Sequence, residues 1–244
     1  MKKVIPKILS MAAVLLVWQT AASVMDSPLI LPTPKSVLFC MGRLLADSSF
    51  WANALSTFVR VAKAFSISLV FGSILGVACG KSRFMKDFFA FPISILRSTP
   101  VVALILILVF SFSSGNVPVA VAVLMSLPVM VSSLFAGFAL SEDDKKMMQM
   151  ARVFSLKTTQ RVRFIWIPKL KPFFKSGTVS VFGMTWKVVV AGEVLSLPNK
   201  AIGTQLSAAQ VHLETQEVMA LSIVIVALSF AMETLLKLIL ERDK

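Results

Sequence analysis

Residues that ordinarily carry covalent, metal or redox chemistry are scarce in this chain: one histidine, His212, and two cysteines, Cys40 and Cys79, among 244 residues. That scarcity leaves no HExxH motif, no Cys/His ligand cluster and no nucleophile with a nearby base, so a membrane-embedded enzyme is opposed by the missing catalytic constellation. Cys40 falls in a predicted outer segment and Cys79 near an inner helix end, which prevents a disulfide within one chain. No metal site follows. A phosphate-cradling glycine loop is also lacking, so any nucleotide hydrolysis belongs on another chain. Charge is sparse as well, at 15% of residues, below what a soluble globular domain carries.

What fills the chain instead is apolar. Hydrophobic residues make up 57% of it and the mean hydropathy is +0.84, the composition of a polytopic membrane protein. A helix needs roughly 20 apolar residues to cross a hydrocarbon core of about 30 Å. Six blocks meet that need, at about Ile8 to Met25, Ala64 to Cys79, Phe91 to Phe110, Val117 to Phe138, Phe173 to Leu195 and Val218 to Leu240. The fifth is weakened by Lys175, Lys187, Glu193 and several glycines. It is retained because an odd number of crossings would put the basic C-terminus on the outer side. Met1-Lys2-Lys3 before an apolar run also fits a secretory signal, and the reading adopted is an uncleaved first helix.

A net charge of +13 raises the question of nucleic acid. Sorting by membrane side answers it. With the N-terminus inside, eighteen of the twenty-five basic residues lie on cytoplasmic segments, nine of them between Lys145 and Lys175. This asymmetry predicts N-in and C-in topology, and it removes the reason to invoke a nucleic-acid partner.

One long inner loop, residues 139–172, interrupts the apolar pattern. SEDDKKMMQMARVF opens with Ser141 as a helix cap and acidic residues in the first turn, which suits a helix start. Met147, Ala151 and Phe154 then fall at i, i+4 and i+7 as an apolar stripe. After Ser155, LKTTQRVRFIWIP forms a second short helix to Ile165, with Pro168 pushing the residue before it out of helical geometry. The expectation is a cytoplasmic helix-turn-helix. It presents Met147, Met148, Ala151 and Phe154 as apolar knobs, and offers Arg152, Arg161 and Arg163 to carboxylates or anionic headgroups.

The run QMARVFSLKTTQRVRFIWIP resembles the coupling-loop signature of ABC-transporter permeases: EAA, three residues, Gly, nine residues, Ile, one residue, Leu-Pro. Gln149, Met150 and Ala151 stand at the EAA positions, Ser155 at the glycine, Ile165 at the isoleucine, and Ile167-Pro168 at the Leu-Pro. Ser for Gly departs from the pattern where a turn needs positive φ, which only glycine adopts cheaply. The stretches LPTPKSV, FVRVAKAFSISLVFGSILGVACGKSR, ILRSTPVVALI and VVVAGEVLSLPNKAIGTQL extend the likeness to the nitrate/sulfonate/taurine-type importers. The resemblance implies an all-α, six-helix permease subunit, not an enzyme, in a bacterial cytoplasmic (inner) membrane. It implies two permease copies forming a homodimer, cytoplasmic ATP-binding subunits that hold the ATP and Mg, and an extracytoplasmic substrate-binding protein. The whole chain then reads as one transmembrane domain: residues 1–50 an additional helix and outer segment, 51–244 the permease core.

Within the fifth block, Ser176, Ser180, Gly183, Lys187 and Ala191 recur at helical spacing as a small, polar strip. Intramembrane charge points to function by default. Ser176, Ser180, Gly183, Lys187 and Glu193 are therefore the translocation-path candidates; for Lys187 an interhelical structural pairing and snorkelling stay open beside pore lining, and as a pore-lining charge it favours a small polar or anionic solute. Glu193 sits about 120° around the helix from Lys187, so each needs its own partner; an outer-gate or receptor-docking role and a simple interfacial charge both remain open for it. Arg97, beside Ser98-Thr99-Pro100, reads as a snorkelling residue near the inner mouth. The rival reading, a stand-alone secondary carrier or channel subunit, calls for inverted repeats or paired broken helices, and no convincing repeat is present.

Overall fold

The computed structural model describes residues 5–241. Among them the chain is helical throughout, without a strand. In chain order the helices are α1 (Ile5–Met25), α2 (Pro34–Ala46), α3 (Ser48–Lys81), α4 (Arg83–Ser98), α5 (Val101–Val109) and α6 (Val117–Ala136). They continue as α7 (Glu142–Val153), α8 (Thr158–Arg161), α9 (Ile167–Ser196), α10 (Ile202–Val211) and α11 (Thr215–Glu241). Five helical segments are long and apolar enough to cross a bilayer, with a sixth if the bent pair α4–α5 is one span.

The core is a slab in which α6 lies between α3 and α9. Close approach is possible because α3 turns a small-residue edge to α6. Ser68, Gly72 and Gly76 are all buried there at four-residue spacing. A Cβ at Gly72 would stand 2.7 Å from the Cβ of Met130, and one at Gly76 would stand 2.9 Å from the Cβ of Leu134. Without a hydrophobic driving force between helices in lipid, such tight backbone approach supplies the van der Waals gain that holds them. Above these contacts Ser126 donates to Ser68 at 2.7 Å. Val61, Val121, Phe182, Trp186 and Val189 fill the rest of the core. By contrast α1 and α11 keep most of their apolar surface outward, as lipid-facing helices do.

Several elements differ from the sequence expectation. The second crossing, expected from Ala64, belongs to a helix of 34 residues that begins at Ser48, so Arg60 and Lys63 lie within α3 instead of flanking its start. Its N-terminus is fixed by Asp47, whose carboxylate accepts from the Ser49 N–H at 2.9 Å. The expected single span Phe91 to Phe110 is two helices meeting at 94° across Thr99-Pro100. Pro100 lacks the N–H that would continue the ladder and disfavours helical φ/ψ at Thr99, which is extended at ψ 128°. The outer stretch after α1 is not a plain loop. Thr33 caps α2, with Pro34 at its first position and Val37, Cys40 and Leu44 as its buried stripe.

Candidate functional site

The cytoplasmic loop begins as its sequence dictates. Ser141 Oγ accepts from the Asp144 N–H at 3.2 Å while the Asp144 carboxylate accepts from the Ser141 N–H at 2.8 Å, a reciprocal capping box. Glu142, Asp143 and Asp144 place negative charge at the positive end of α7. The helix closes through a left-handed residue: the Leu156 N–H donates to the Ala151 carbonyl at 3.0 Å, and Ser155 stands at φ +49°. This is the geometry the signature's glycine would adopt, here held by serine at some steric cost.

The second half of the loop departs from a helix-turn-helix that ends at Pro168. Instead of breaking, α8 passes through a π-helical turn, Val162–Trp166, directly into α9. A regular α-helix would drive the Pro168 ring into the Phe164 carbonyl; the wider turn just before it relieves that clash. Thr158 to Ser196 is thus one helical run of 39 residues. Lys169 ties its foot to α7, its ammonium 2.6 Å from the Asp144 carboxylate and 2.6 Å from the Ala139 carbonyl. Together with the Ser141 donors, this ammonium lowers the Asp144 carboxyl to about 2. The Lys169–Asp144 tie was not visible in sequence because its partners are 25 residues apart.

The signature residues divide by role. Ala151 and Ile165 are buried, at 3% and 7% exposure, so Ala151 packs the loop internally and is not the exposed knob its spacing implied. Met148 is also half-buried. The exposed apolar face consists of Met147, Met150, Val153 and Phe154, with Ile167 exposed farther on. Gln149 and Arg152 lie on the other side of α7, lining a cavity with Lys145 and Met148.

In α9 the buried faces carry Gly177, Thr178, Val181, Thr185, Val188 and Val189. Ser176, Ser180 and Lys187 are exposed, with Gly183 and Ala191 half-buried. The polar strip is therefore the open face of the most enclosed long helix. Beside Lys187 lies a cavity of about 380 Å³ that α11 completes with Ser229, Phe230 and Glu233. Trp186 also lines it, and its buried indole N–H has no partner among the described residues.

Glu193 is placed differently from the strip. It has no exposure and sits at the junction of α3, α9 and α10. Arg60 donates to one carboxylate oxygen at 2.8 Å; the Thr57 hydroxyl and the Gly203 N–H donate to the other at 2.9 and 3.2 Å. Thr57 in turn accepts from the Ile202 N–H at 3.1 Å, and Arg60 also reaches the carbonyls of Asn199 and Lys200. Gly203 is required by this approach, since a Cβ there would stand 2.4 Å from the Glu193 Cβ. Sequence reasoning missed Thr57, Arg60 and Gly203; the one signal was a charge at position 60 inside a helical apolar pattern. Arg97, expected to snorkel, hydrogen-bonds the Ser132 hydroxyl at 3.4 Å.

Comparison with known proteins bears directly on this architecture. The model of the family described as "Binding-protein-dependent transport system inner membrane component" matches residues 68–242. That range spans α6, the cytoplasmic loop and the whole polar strip. The chain is 25% identical over 232 residues to the taurine transport system permease protein TauC of Escherichia coli (strain K12), covering 92% of this chain and 83% of that protein. It is 27% identical over 205 residues to the nitrate import permease protein NrtB of Synechocystis sp. (strain ATCC 27184 / PCC 6803 / Kazusa), covering 79% and 72%. With most of its length matched, this multi-pass chain belongs to the binding-protein-dependent transport system inner membrane components and is an ABC-transporter permease.

Proposed function

We propose that the chain is the translocation subunit of an ATP-driven importer, moved by a cytoplasmic ATPase through the loop 139–172. The observation that carries this reading is the unbroken helix from Thr158 to Ser196. One end is pinned to α7 by the Lys169–Asp144 pair and the other half carries Ser176, Ser180, Gly183 and Lys187. A displacement of the loop is therefore delivered to the strip without a flexible joint. Met147, Met150 and Phe154 form the docking face, with Ser155, Ile165, Ile167 and Pro168 setting its shape, while Gln149 and Arg152 lie on the opposite side of α7. ATP and Mg belong to the ATPase.

A single chain leaves the strip open on one side. A second copy related by two-fold symmetry encloses it and duplicates the docking loop, giving two ATPases equivalent sites. An extracytoplasmic binding protein delivers the solute. The ammonium of Lys187, without an ion-pair partner among the described residues, shares its cavity with the Trp186 N–H, the Ser229 hydroxyl and Glu233, whose carboxylate is paired with Lys237 at 2.8 Å; this favours a small anionic or strongly polar solute, in keeping with the taurine and nitrate named for the relatives. The test is co-purification with the ATPase after Phe154→Asp, which sets a carboxylate into an apolar contact. Membrane insertion stays intact and ATPase capture is lost; capture at wild-type yield refutes the docking assignment.

A further inference from the structure

On the cytoplasmic side a second cavity, of about 660 Å³, opens between the foot of α3 and the loop helices. Among the described residues four cations line it, Lys81 at the end of α3, Lys145 and Arg152 on α7, and Arg161 on α8, and no carboxylate does. Lys145 has Glu142 at 2.6 Å. Lys81, Arg152 and Arg161 have no ion-pair partner among the described residues, and the Nε of Arg161 is fixed by the Leu156 carbonyl at 2.9 Å. Concentrating uncompensated positive charge around one concave site is unfavourable unless an anion fills it.

Its position on α7 separates it from the docking face. At about 100° per residue, Lys145, Met148, Gln149 and Arg152 cluster on one side of the helix, and Met147, Met150 and Phe154 on the opposite side. A partner seated on the methionines and phenylalanine leaves the basic side free. The walls also include Leu140, Val162 and Trp166, so the cavity is amphipathic: an aromatic and aliphatic margin beside guanidinium donors suited to phosphate oxygens. That combination fits a phosphate that continues into a hydrocarbon chain better than a free ion.

We propose that this cavity binds the phosphate of an acidic phospholipid headgroup, bridging Lys81 on the permease core to Arg152 and Arg161 on the loop. The cation count follows the membrane rule that basic residues next to the cytoplasmic leaflet attract anionic lipid, each adding to the affinity. The bridge would couple loop order to lipid composition.

The test is native mass spectrometry of the purified full chain from neutral-detergent micelles doped equally with phosphatidylglycerol and phosphatidylcholine. Wild type retains phosphatidylglycerol preferentially. Lys81→Gln combined with Arg161→Gln lowers that retention by on the order of tenfold or more. Lys35→Gln with Lys200→Gln removes the same charge on outer segments and changes nothing. Equal retention by wild type and the Lys81/Arg161 variant overturns the proposal. So does displacement of the lipid by millimolar inorganic phosphate, which would make the ligand a free anion. Loss of retention when the ATPase is added would overturn it too, assigning the cavity to that partner's carboxylates.

Discussion

Replacing Arg60 by methionine strands the Glu193 carboxylate in a site with no solvent exposure, and the consequences separate a structural lock from an interfacial charge. In the native chain Arg60 meets Glu193 at 2.8 Å, with side-chain exposures of 14% and 0%. Removing one partner of a buried pair costs about 3–5 kcal/mol because the other charge stays behind. Arg60 borders solvent, so the lower end, about 3 kcal/mol, is expected. Glu193→Gln is milder. Its arginine keeps the carbonyls of Asn199 and Lys200, while the amide leaves one of the former donors, Arg60, Thr57 or Gly203, imperfectly matched, at about 1–3 kcal/mol. The double variant removes both charges together and is expected to be about as stable as Glu193→Gln alone. The assay is equilibrium unfolding of the purified chain in mixed micelles, read by circular dichroism as a double-mutant cycle. Additive losses, or an Arg60→Met chain as stable as wild type, refute the argument that this ion pair fastens α3, α9 and α10.

Lys187→Met is expected to reduce transport sharply in reconstituted vesicles while subunit assembly and basal ATP hydrolysis persist, with Lys187→Arg retaining part of the activity; failure to assemble would make the lysine a structural pair instead. Ser155→Gly relieves the left-handed backbone at φ +49° and should stabilise the loop by about 1 kcal/mol, seen as slower amide exchange over residues 150–158. Asp144 is held at about 2 against an ordinary 3.8, so its contribution is complete above its ordinary value and fades as pH falls toward 2. Amide exchange of α7 should quicken across that window, and Asp144→Asn should flatten the response.

Much of this protein was written locally. Apolar block length set the spans, the sorting of lysine and arginine set their direction, and Ser141 with Asp144 set the start of α7, because each depends on residues within one or two turns of one another. The turn at Ser155 followed from the resemblance instead: the coupling-loop signature sets a glycine at that position, and the backbone there is left-handed. The polar strip of α9 followed from periodicity, although its openness required knowing that α3 and α6 cover the other faces.

Tertiary structure decided what periodicity cannot express. Ala151 matched the apolar stripe but is buried, its carbonyl accepting from the Leu156 N–H where the chain turns back, so one stripe is divided between inner and outer contacts. Pro168 predicted a break, yet the π-turn before it absorbs the ring and preserves a single lever from loop to strip. Arg60 and Glu193 are 133 residues apart, and no local pattern joins them. In an interior without water each buried charge must find its counterpart in space, so the partner is chosen by how α3, α9 and α10 pack and not by distance along the chain.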